Sequence, residues 1–223
     1  MQHRIVFVVG LSRTGTSILV KCLENSGYNI GKRAFGHKYK SQDGVFGYAN
    51  NEIFSSLKDQ LKGRVVDINK PIEVTEDIAK LVRSVFQYAQ LYKVDVLKNP
   101  WFHNFIGIYA AVNAEFFDHK FIWTHRDPLE RAKSEVRLKY MRSVPPGNSF
   151  KNYKVKKLMR WDYEYQDVHS LYFNKRNGIN VYFEDLLNDT QSVSRKLSNF
   201  LGREFDSSMI SKHETFKATG VPQ

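Results

Sequence analysis

The sequence predicts an α/β protein with a central parallel sheet, and three observations support this. Short runs of β-branched and aromatic residues without polar alternation, such as residues 5–9 and 119–124, are typical of strands buried on both faces. Segments between these runs carry apolar residues at helical spacing. The first run also leads through a glycine-bounded loop into an amphipathic helix, an arrangement common in α/β proteins that bind anions.

Composition restricts the possible partners. The 223 residues are enough for one large α/β domain, and we expect a single domain spanning 1–223. The formal net charge of +11 is spread along the chain and attracts anions. No nucleic-acid recognition motif accompanies this charge, and an anionic nucleotide cofactor would require the same sign, so no nucleic-acid partner is predicted.

The N-terminus and the cysteine content predict a cytoplasmic protein. The first strand follows Met1 within a few residues, which leaves no room for a signal peptide, and no apolar run approaches membrane-spanning length. Cys22, the only cysteine, excludes an intrachain disulfide. Its position on the apolar face of the first helix predicts an unreactive core thiol.

Residues 10–17, GLSRTGTS, are predicted to bind phosphate or sulfate. They have the Gly-x-x-x-x-Gly spacing of a P-loop, but Thr16 occupies the position where nucleotide hydrolases carry Lys. The cation is Arg13, inside the loop. Backbone N–H groups and the helix dipole favour an anion at such a junction. The structural alternative is an ordinary strand-to-helix turn with a chance arginine.

The next hundred residues predict further helices and strands. Residues 29–50 lack periodicity and form either an acceptor-binding segment or a solvated loop. Helices are expected over 51–61 and 75–92, the second capped by Thr75, with a short strand over 64–68. A strand over 94–97 ends at Lys98, which either contacts substrate or is solvated. Residues 101–117 are predicted to form a mostly buried helix.

A second anion-binding element is predicted directly after the strand over 119–124. Arg126 lies at the carboxyl end of this strand, and Asp127 and Pro128 are suited to begin a helix. Ser134 lies about two turns into that helix. A guanidinium and a hydroxyl so arranged can hold one phosphate from two sides.

The C-terminal third predicts a long helix over 151–174, a strand over 179–183 and a closing helix over 192–201 that Gly202 ends. Glu184 and Asp185 are expected to cap or pair structurally. The sequence shows no credible cluster of metal ligands.

Three of these segments resemble a known family. Residues 10–17 are similar to the 5′-phosphosulfate-binding loop of the sulfotransferases that use 3′-phosphoadenosine-5′-phosphosulfate (PAPS). Arg126, followed eight positions later by Ser134, resembles the 3′-phosphate-binding element of that family. Residues 181–187 resemble the strand and acidic turn found later in these enzymes.

The resemblance implies a three-layer α/β fold with a P-loop-like first strand, loop and helix, and helices on both faces of the sheet. It also implies sulfuryl transfer from PAPS to a small-molecule, carbohydrate or peptide acceptor, with adenosine 3′,5′-bisphosphate as the second product. Arg13 would stabilise the charge on the leaving phosphate without a metal. The implied cofactor-binding residues are Ser12, Arg13, Thr14, Gly15, Thr16, Ser17, Arg126 and Ser134.

The sequence does not determine which residue acts as the general base. Lys98, before Asn99 and Pro100, looks similar to the lysine-containing pattern of the carbohydrate and protein branches of the family. Ile18 stands where the small-molecule branch has an aromatic residue. The candidates for the base are His103, Glu52, His37 and Asp43; with Arg13 and Lys98, the first two of these complete the predicted catalytic set.

Two other functional classes remain as alternatives. A P-loop kinase or nucleotide hydrolase using ATP-Mg would share the opening loop, but it would need Lys at position 16 and an acidic magnesium ligand, for which Asp67 is the best candidate. A non-catalytic anion-binding or nucleic-acid-binding module is the second alternative. The cofactor that the protein binds discriminates among all three.

Overall fold

A computed structural model describes residues 4–31, 73–98, 102–143, 152–173 and 177–210. Several predictions lie outside these residues: most of the loop over 29–50, the helix over 51–61 and the strand over 64–68. The base candidates Glu52, His37 and Asp43 also lie outside them, as does Asp67.

Four parallel strands form the sheet. These are β1 (Val6–Val9), β2 (Val96–Lys98), β3 (Lys120–His125) and β4 (Gly178–Tyr182), in the spatial order β2-β1-β3-β4. The register pairs Val8 with Lys98 and Val9 with Trp123. The carboxyl ends of β1 and its two neighbours therefore meet at one edge of the sheet, as predicted for Lys98 and Arg126.

Seven α-helices and two 3₁₀-helices complete the described part of the chain. They are α1 (Thr16–Asn25), α2 (Glu76–Leu91), the 3₁₀-helix Phe102–Phe105, α3 (Ile106–Val112), the 3₁₀-helix Ala114–Asp118, α4 (Pro128–Ser143), α5 (Asn152–Tyr172), α6 (Phe183–Asn188) and α7 (Thr190–Leu201).

Alternate residues of the fully buried β1 face opposite sides of the sheet. Phe7 and Val9 join a core with residues of α2, α3 and α5, whereas Val6 and Val8 join a second core with α1 and α7. Helices therefore cover both faces, and the prediction of a three-layer α/β fold with a central parallel sheet is confirmed.

Three predicted helix boundaries are confirmed: the starts at Thr75 and Asp127 and the end at Gly202. The Thr75 hydroxyl accepts a hydrogen bond from the backbone N–H of Ile78 at the start of α2 (3.4 Å). The Asp127 carboxylate accepts one from the N–H of Glu130 at the start of α4 (2.9 Å). Gly202 ends α7 in the left-handed conformation, with φ of 74°.

The continuous helix predicted over residues 101–117 is wrong. The chain there forms two 3₁₀-helices around the short α3, with a break at Asn113, whose side chain accepts from the N–H of Glu115 (3.0 Å). The break lets the rings of Phe102 and Phe116 both pack on Phe7, at centroid distances of 5.0 and 5.1 Å. Burial of aromatic surface thus overrides the helical periodicity.

Two smaller expectations have clear outcomes. The last predicted strand ends one residue early, because Phe183 begins α6. Cys22 is buried in the core, as predicted, and burial raises the pKa of its thiol to about 12. Within the described ranges, no helix has both the length and the apolar character needed to cross a bilayer.

Candidate functional site

The loop over residues 10–17 connects β1 to α1 and depends on both of its glycines. A Cβ atom at Gly10 would lie 1.8 Å from the Thr124 hydroxyl oxygen. Gly15 has φ of 85°, and a Cβ there would lie 2.7 Å from the Phe183 ring. The backbone therefore passes closer to β3 and to the start of α6 than any side chain at these positions allows.

The loop delivers the N-terminus of α1 to the carboxyl edge of the sheet. Gly15 precedes the helix and brings no side chain to cap it, and the Leu19 N–H makes a helical bond to the Gly15 carbonyl (3.0 Å). The N–H groups of the first turn, including those of Thr16 and Ser17, have no acceptor within the helix by geometry. Such a terminus suits an anionic ligand.

Arg13 forms hydrogen bonds with Arg126 and Ser134, the two residues of the β3–α4 segment that were predicted to bind phosphate. The Nε–H of Arg13 donates to the Ser134 hydroxyl (3.0 Å), and the Arg126 guanidinium donates to the Arg13 carbonyl (2.9 Å). Arg13 has φ of 72°, a left-handed conformation that is uncommon for a residue with a side chain. The structure thus brings Arg13 together with two residues that lie more than one hundred positions away in the sequence.

The Phe183 side chain contacts both the loop and Arg126. Its ring lies against Gly15, and the Arg126 guanidinium carbon lies 4.3 Å from its centroid. A guanidinium over an aromatic face is attracted by the ring quadrupole. The neighbouring Glu184 carboxylate accepts from the Asp127 N–H (3.2 Å), so the predicted structural role of this acidic turn is confirmed for Glu184.

The Thr14 hydroxyl forms hydrogen bonds within the protein. That hydroxyl donates to the Leu11 carbonyl (2.7 Å) and lies 2.8 Å from the Thr124 hydroxyl, and the residue is only 3% exposed. The Thr124 hydroxyl in turn donates to the Val9 carbonyl (3.2 Å). The Thr14 side chain therefore joins the loop to β1 and β3.

Lys98 lies on the opposite side of the loop. Its ammonium donates to the Ser17 hydroxyl (3.3 Å), and the residue is 4% exposed. Burial lowers the pKa of Lys98 to about 8, because the charged form loses hydration. The alternative of a solvated lysine is wrong.

His103 is buried in the 3₁₀-helix after β2. Its ring packs edge-on against Tyr165, with centroids 5.7 Å apart. The Tyr165 hydroxyl donates to the Thr124 carbonyl (2.9 Å), with the Val9 carbonyl at 3.3 Å. His103 therefore packs against a side chain that binds the carboxyl ends of β1 and β3.

Two groups of residues at this edge were missed by the sequence analysis. The Ser12 hydroxyl donates to the Glu135 carboxylate (2.6 Å). Ser12 was predicted to bind cofactor, whereas no role was predicted for Glu135. The position of Glu135 directly after Ser134 is the sequence feature that could have indicated a role.

The second group lies between β3, β4 and α5. Nε2 of His125 and Nε2 of His169 lie 2.9 and 2.8 Å from the Asn180 side-chain oxygen. That oxygen only accepts hydrogen bonds, so a hydrogen bond from each ring to it requires the proton on Nε2. Burial lowers the pKa of His125 to about 4. Among the described residues, no group of His, Cys, Asp and Glu side chains is arranged to hold a metal ion.

These features define the class of protein: a parallel α/β fold with a P-loop-like, glycine-bounded loop between its first strand and its first helix. The sequence model described as "Sulfotransferase family" matches residues 6–207, so the chain belongs to the sulfotransferase family. Family and fold together support sulfotransfer as the activity of an enzyme.

Comparison with solved structures shows the same fold. The chain is similar to the sulfotransferase STF9 from Mycobacterium avium, at 17% identity, with a TM-score of 0.50 and coverage of 99% of this chain and 69% of that one. The sulfotransferase domain of the Synechococcus PCC 7002 olefin synthase is 16% identical, with a TM-score of 0.54 and coverage of 98% and 80%. Retinol dehydratase, solved with androsterone and the inactive cofactor PAP, is 17% identical, with a TM-score of 0.42 and coverage of 97% and 64%. Comparison with curated protein sequences gives no match.

Proposed function

We propose that the protein transfers a sulfuryl group from PAPS to a hydroxyl or amine of an acceptor, with Arg13 stabilising the leaving phosphate. The observation that carries this proposal is the meeting of Arg126 and Ser134 with Arg13 at the glycine-bounded loop. An anion bound at the start of α1 would lie beside donors from two separate segments.

The reaction is an in-line displacement. An acceptor oxygen or nitrogen forms a bond to sulfur while the bond between sulfur and the bridging oxygen breaks. The bridging oxygen keeps the electron pair and becomes a phosphate oxygen of adenosine 3′,5′-bisphosphate. A guanidinium fixed beside this oxygen stabilises the developing charge without reorganisation, and losing one such donor typically slows a reaction about 10²–10³-fold.

The loop and the β3–α4 segment would bind different parts of the donor. The backbone N–H groups of Gly15, Thr16 and Ser17 would hold the 5′-phosphosulfate, with Ser12 and Thr14 fixing the loop. Arg126 and Ser134 would hold the 3′-phosphate. The Ser134 hydroxyl accepts from Arg13 and still has its own proton to donate to a phosphate oxygen.

Lys98 is suited to act on the acceptor side. Its lowered pKa, about 8, means that small changes in nearby charge decide whether the amine is protonated. It would bind the sulfuryl oxygens as a cation. His103 and Glu52 are the proposed candidates for the base that takes the acceptor proton. The arginine and lysine cations supply positive charge, so we propose that no metal is needed.

The decisive experiment is transfer of radiolabelled sulfate from PAPS to a panel of acceptors: 4-nitrophenol, an N-acetylglucosamine oligosaccharide, a tyrosine-containing acidic peptide and a long-chain alcohol. We expect transfer to at least one acceptor without added magnesium, and a loss of about 10²–10³-fold in Arg13→Ala.

The matched control is Arg83→Ala, which removes an exposed arginine of α2 that pairs with Glu76. Full transfer by Arg13→Ala would refute its role. A rise in melting temperature with ATP-Mg, but none with adenosine 3′,5′-bisphosphate, would favour the kinase alternative.

A further inference from the structure

Two consecutive residues of α4 contact two consecutive residues of the loop. Ser134 accepts from the Arg13 guanidinium, and Glu135 accepts from the Ser12 hydroxyl (2.6 Å). Glu135 is 8% exposed, and Ser12 is half-buried. The Ser12–Glu135 hydrogen bond, which joins residues 123 positions apart, therefore lies at a largely buried junction between the loop and α4.

The conformation of Arg13 explains why such a bond is needed. A non-glycine residue in the left-handed region is strained and persists only where its surroundings determine it. The contacts of Arg126 and Ser134 hold the carbonyl and the side chain of Arg13. Its φ angle also depends on the peptide unit that precedes it, and the Ser12–Glu135 bond holds the residue on that side.

The charge of Glu135 argues against a role in holding the donor. A carboxylate close to a site for phosphate and sulfate repels these anions, so it opposes their binding. Its hydrogen bond instead fixes the loop whether or not an anion is present. Charge-assisted bonds of this kind are short and strong, in agreement with the 2.6 Å separation.

We propose that Glu135, acting through Ser12, is a positioning residue that holds Arg13 in its left-handed conformation before the donor binds. This inference rests on the proposed function of Arg13. It assigns to Glu135 an effect on the transition state rather than on the affinity for the donor. Only interactions stronger in the transition state raise kcat, so kcat is the quantity that the bond controls.

The experiment compares Ser12→Ala, Glu135→Ala, the double variant and Glu135→Gln. The measured quantities are kcat and KM for PAPS with the acceptor of highest turnover from the panel, and Kd for adenosine 3′,5′-bisphosphate. We expect each alanine variant to lower kcat about ten- to hundredfold, because displacement of a catalytic group by about 1 Å has effects of this size. The Kd for the bisphosphate should not rise.

Two further results identify the bond itself. The double variant should be no slower than the slower single variant, because residues that act through one contact are not additive. Glu135→Gln keeps an acceptor oxygen and should recover most of the lost kcat. Glu130→Gln, an exposed acid on the same helix, should match the wild type.

Three outcomes would overturn the inference: additive losses in the double variant, a loss confined to KM or melting temperature, or equal losses in Glu135→Gln and Glu135→Ala. Ser12→Ala removes a single hydroxyl from the loop, so the test survives if the Glu135 variants fold poorly. If Arg13→Ala is slow while Ser12→Ala keeps its kcat, this inference fails and the proposed function stands. If Arg13→Ala keeps full transfer, both fail.

Discussion

The two sides of the loop present different kinds of cation. On the β3 side, Arg13 and Arg126 are guanidinium groups that stay charged at every physiological pH. On the β2 side, Lys98 is a buried amine whose pKa is about 8. The proposed anion site thus has a permanent charge on one flank and an adjustable charge on the other. Permanent charge suits the phosphates of a donor, whereas an adjustable charge suits the place where a proton is exchanged.

The largest effect is expected from a substitution of Arg13 that tests the role of its charge separately from the strain in its backbone. Arg13→Gly removes the guanidinium but relieves the left-handed strain, since glycine adopts positive φ readily. Transfer should fall about 10²–10³-fold, while the melting temperature stays within a few degrees of the wild type. Sulfate transfer and thermal unfolding measure the two effects. A large loss of stability would show that the side chain holds the fold together.

A smaller effect is expected at Arg126, on the same permanently charged flank. Arg126→Lys keeps the charge but loses the planar fork. It should weaken binding of adenosine 3′,5′-bisphosphate about tenfold and leave binding of adenosine 5′-monophosphate nearly unchanged. Calorimetry of both ligands checks this, with the exposed Arg160→Lys as control. Equal weakening of both ligands would contradict a role at the 3′-phosphate.

The lowered pKa of Lys98 predicts that the stability of the fold depends on pH. Because the pKa of Lys98 is lowered in the folded protein, the unfolded chain binds more protons between about pH 8 and its ordinary value of 10.5. Stability contributed by this residue should therefore rise with pH across that window. Lys98→Met should be more stable than the wild type below pH 8, with a difference that shrinks toward pH 10.5. Denaturant titrations across this range measure it, and a constant difference would refute the lowered pKa of the buried Lys98.

The smallest effect on transfer is expected from His125, behind Arg126. Its folded-state pKa of about 4 lies below the ordinary 6.5, so its contribution to stability is complete above pH 6.5 and is lost as pH falls toward 4. The loss amounts to about 3 kcal/mol. His125→Gln should flatten the acid limb of the unfolding free energy between these values and leave kcat at neutral pH unchanged. A wild-type acid limb that persists in the variant would show that other groups cause it.

The residues that could be predicted from the sequence are those fixed by local rules. The loop follows a buried strand and is bounded by glycines, and Arg126 and Ser134 are set by the end of β3 and the helical rise of α4. The layers of the fold follow from such patterns, and so do the position of the loop and its proposed role in binding an anion.

The remaining features depend on packing between distant segments. Lys98 is buried and donates to Ser17, 81 positions away, and Glu135 accepts from Ser12, 123 positions away. Both contacts depend on how distant segments pack together. The break at Asn113 likewise depends on the space around the Phe7 ring. Periodicity describes each segment alone, so it is silent about these contacts.

The contact between Gly15 and Phe183 has a consequence for protein engineering. The ring at position 183 fills the volume that a side chain at position 15 would need, and a side chain there would also be strained at φ of 85°, so position 15 requires glycine. A transplant of residues 10–17 into another α/β scaffold would therefore bring along an unfilled hollow unless the aromatic corner after β4 were grafted with it.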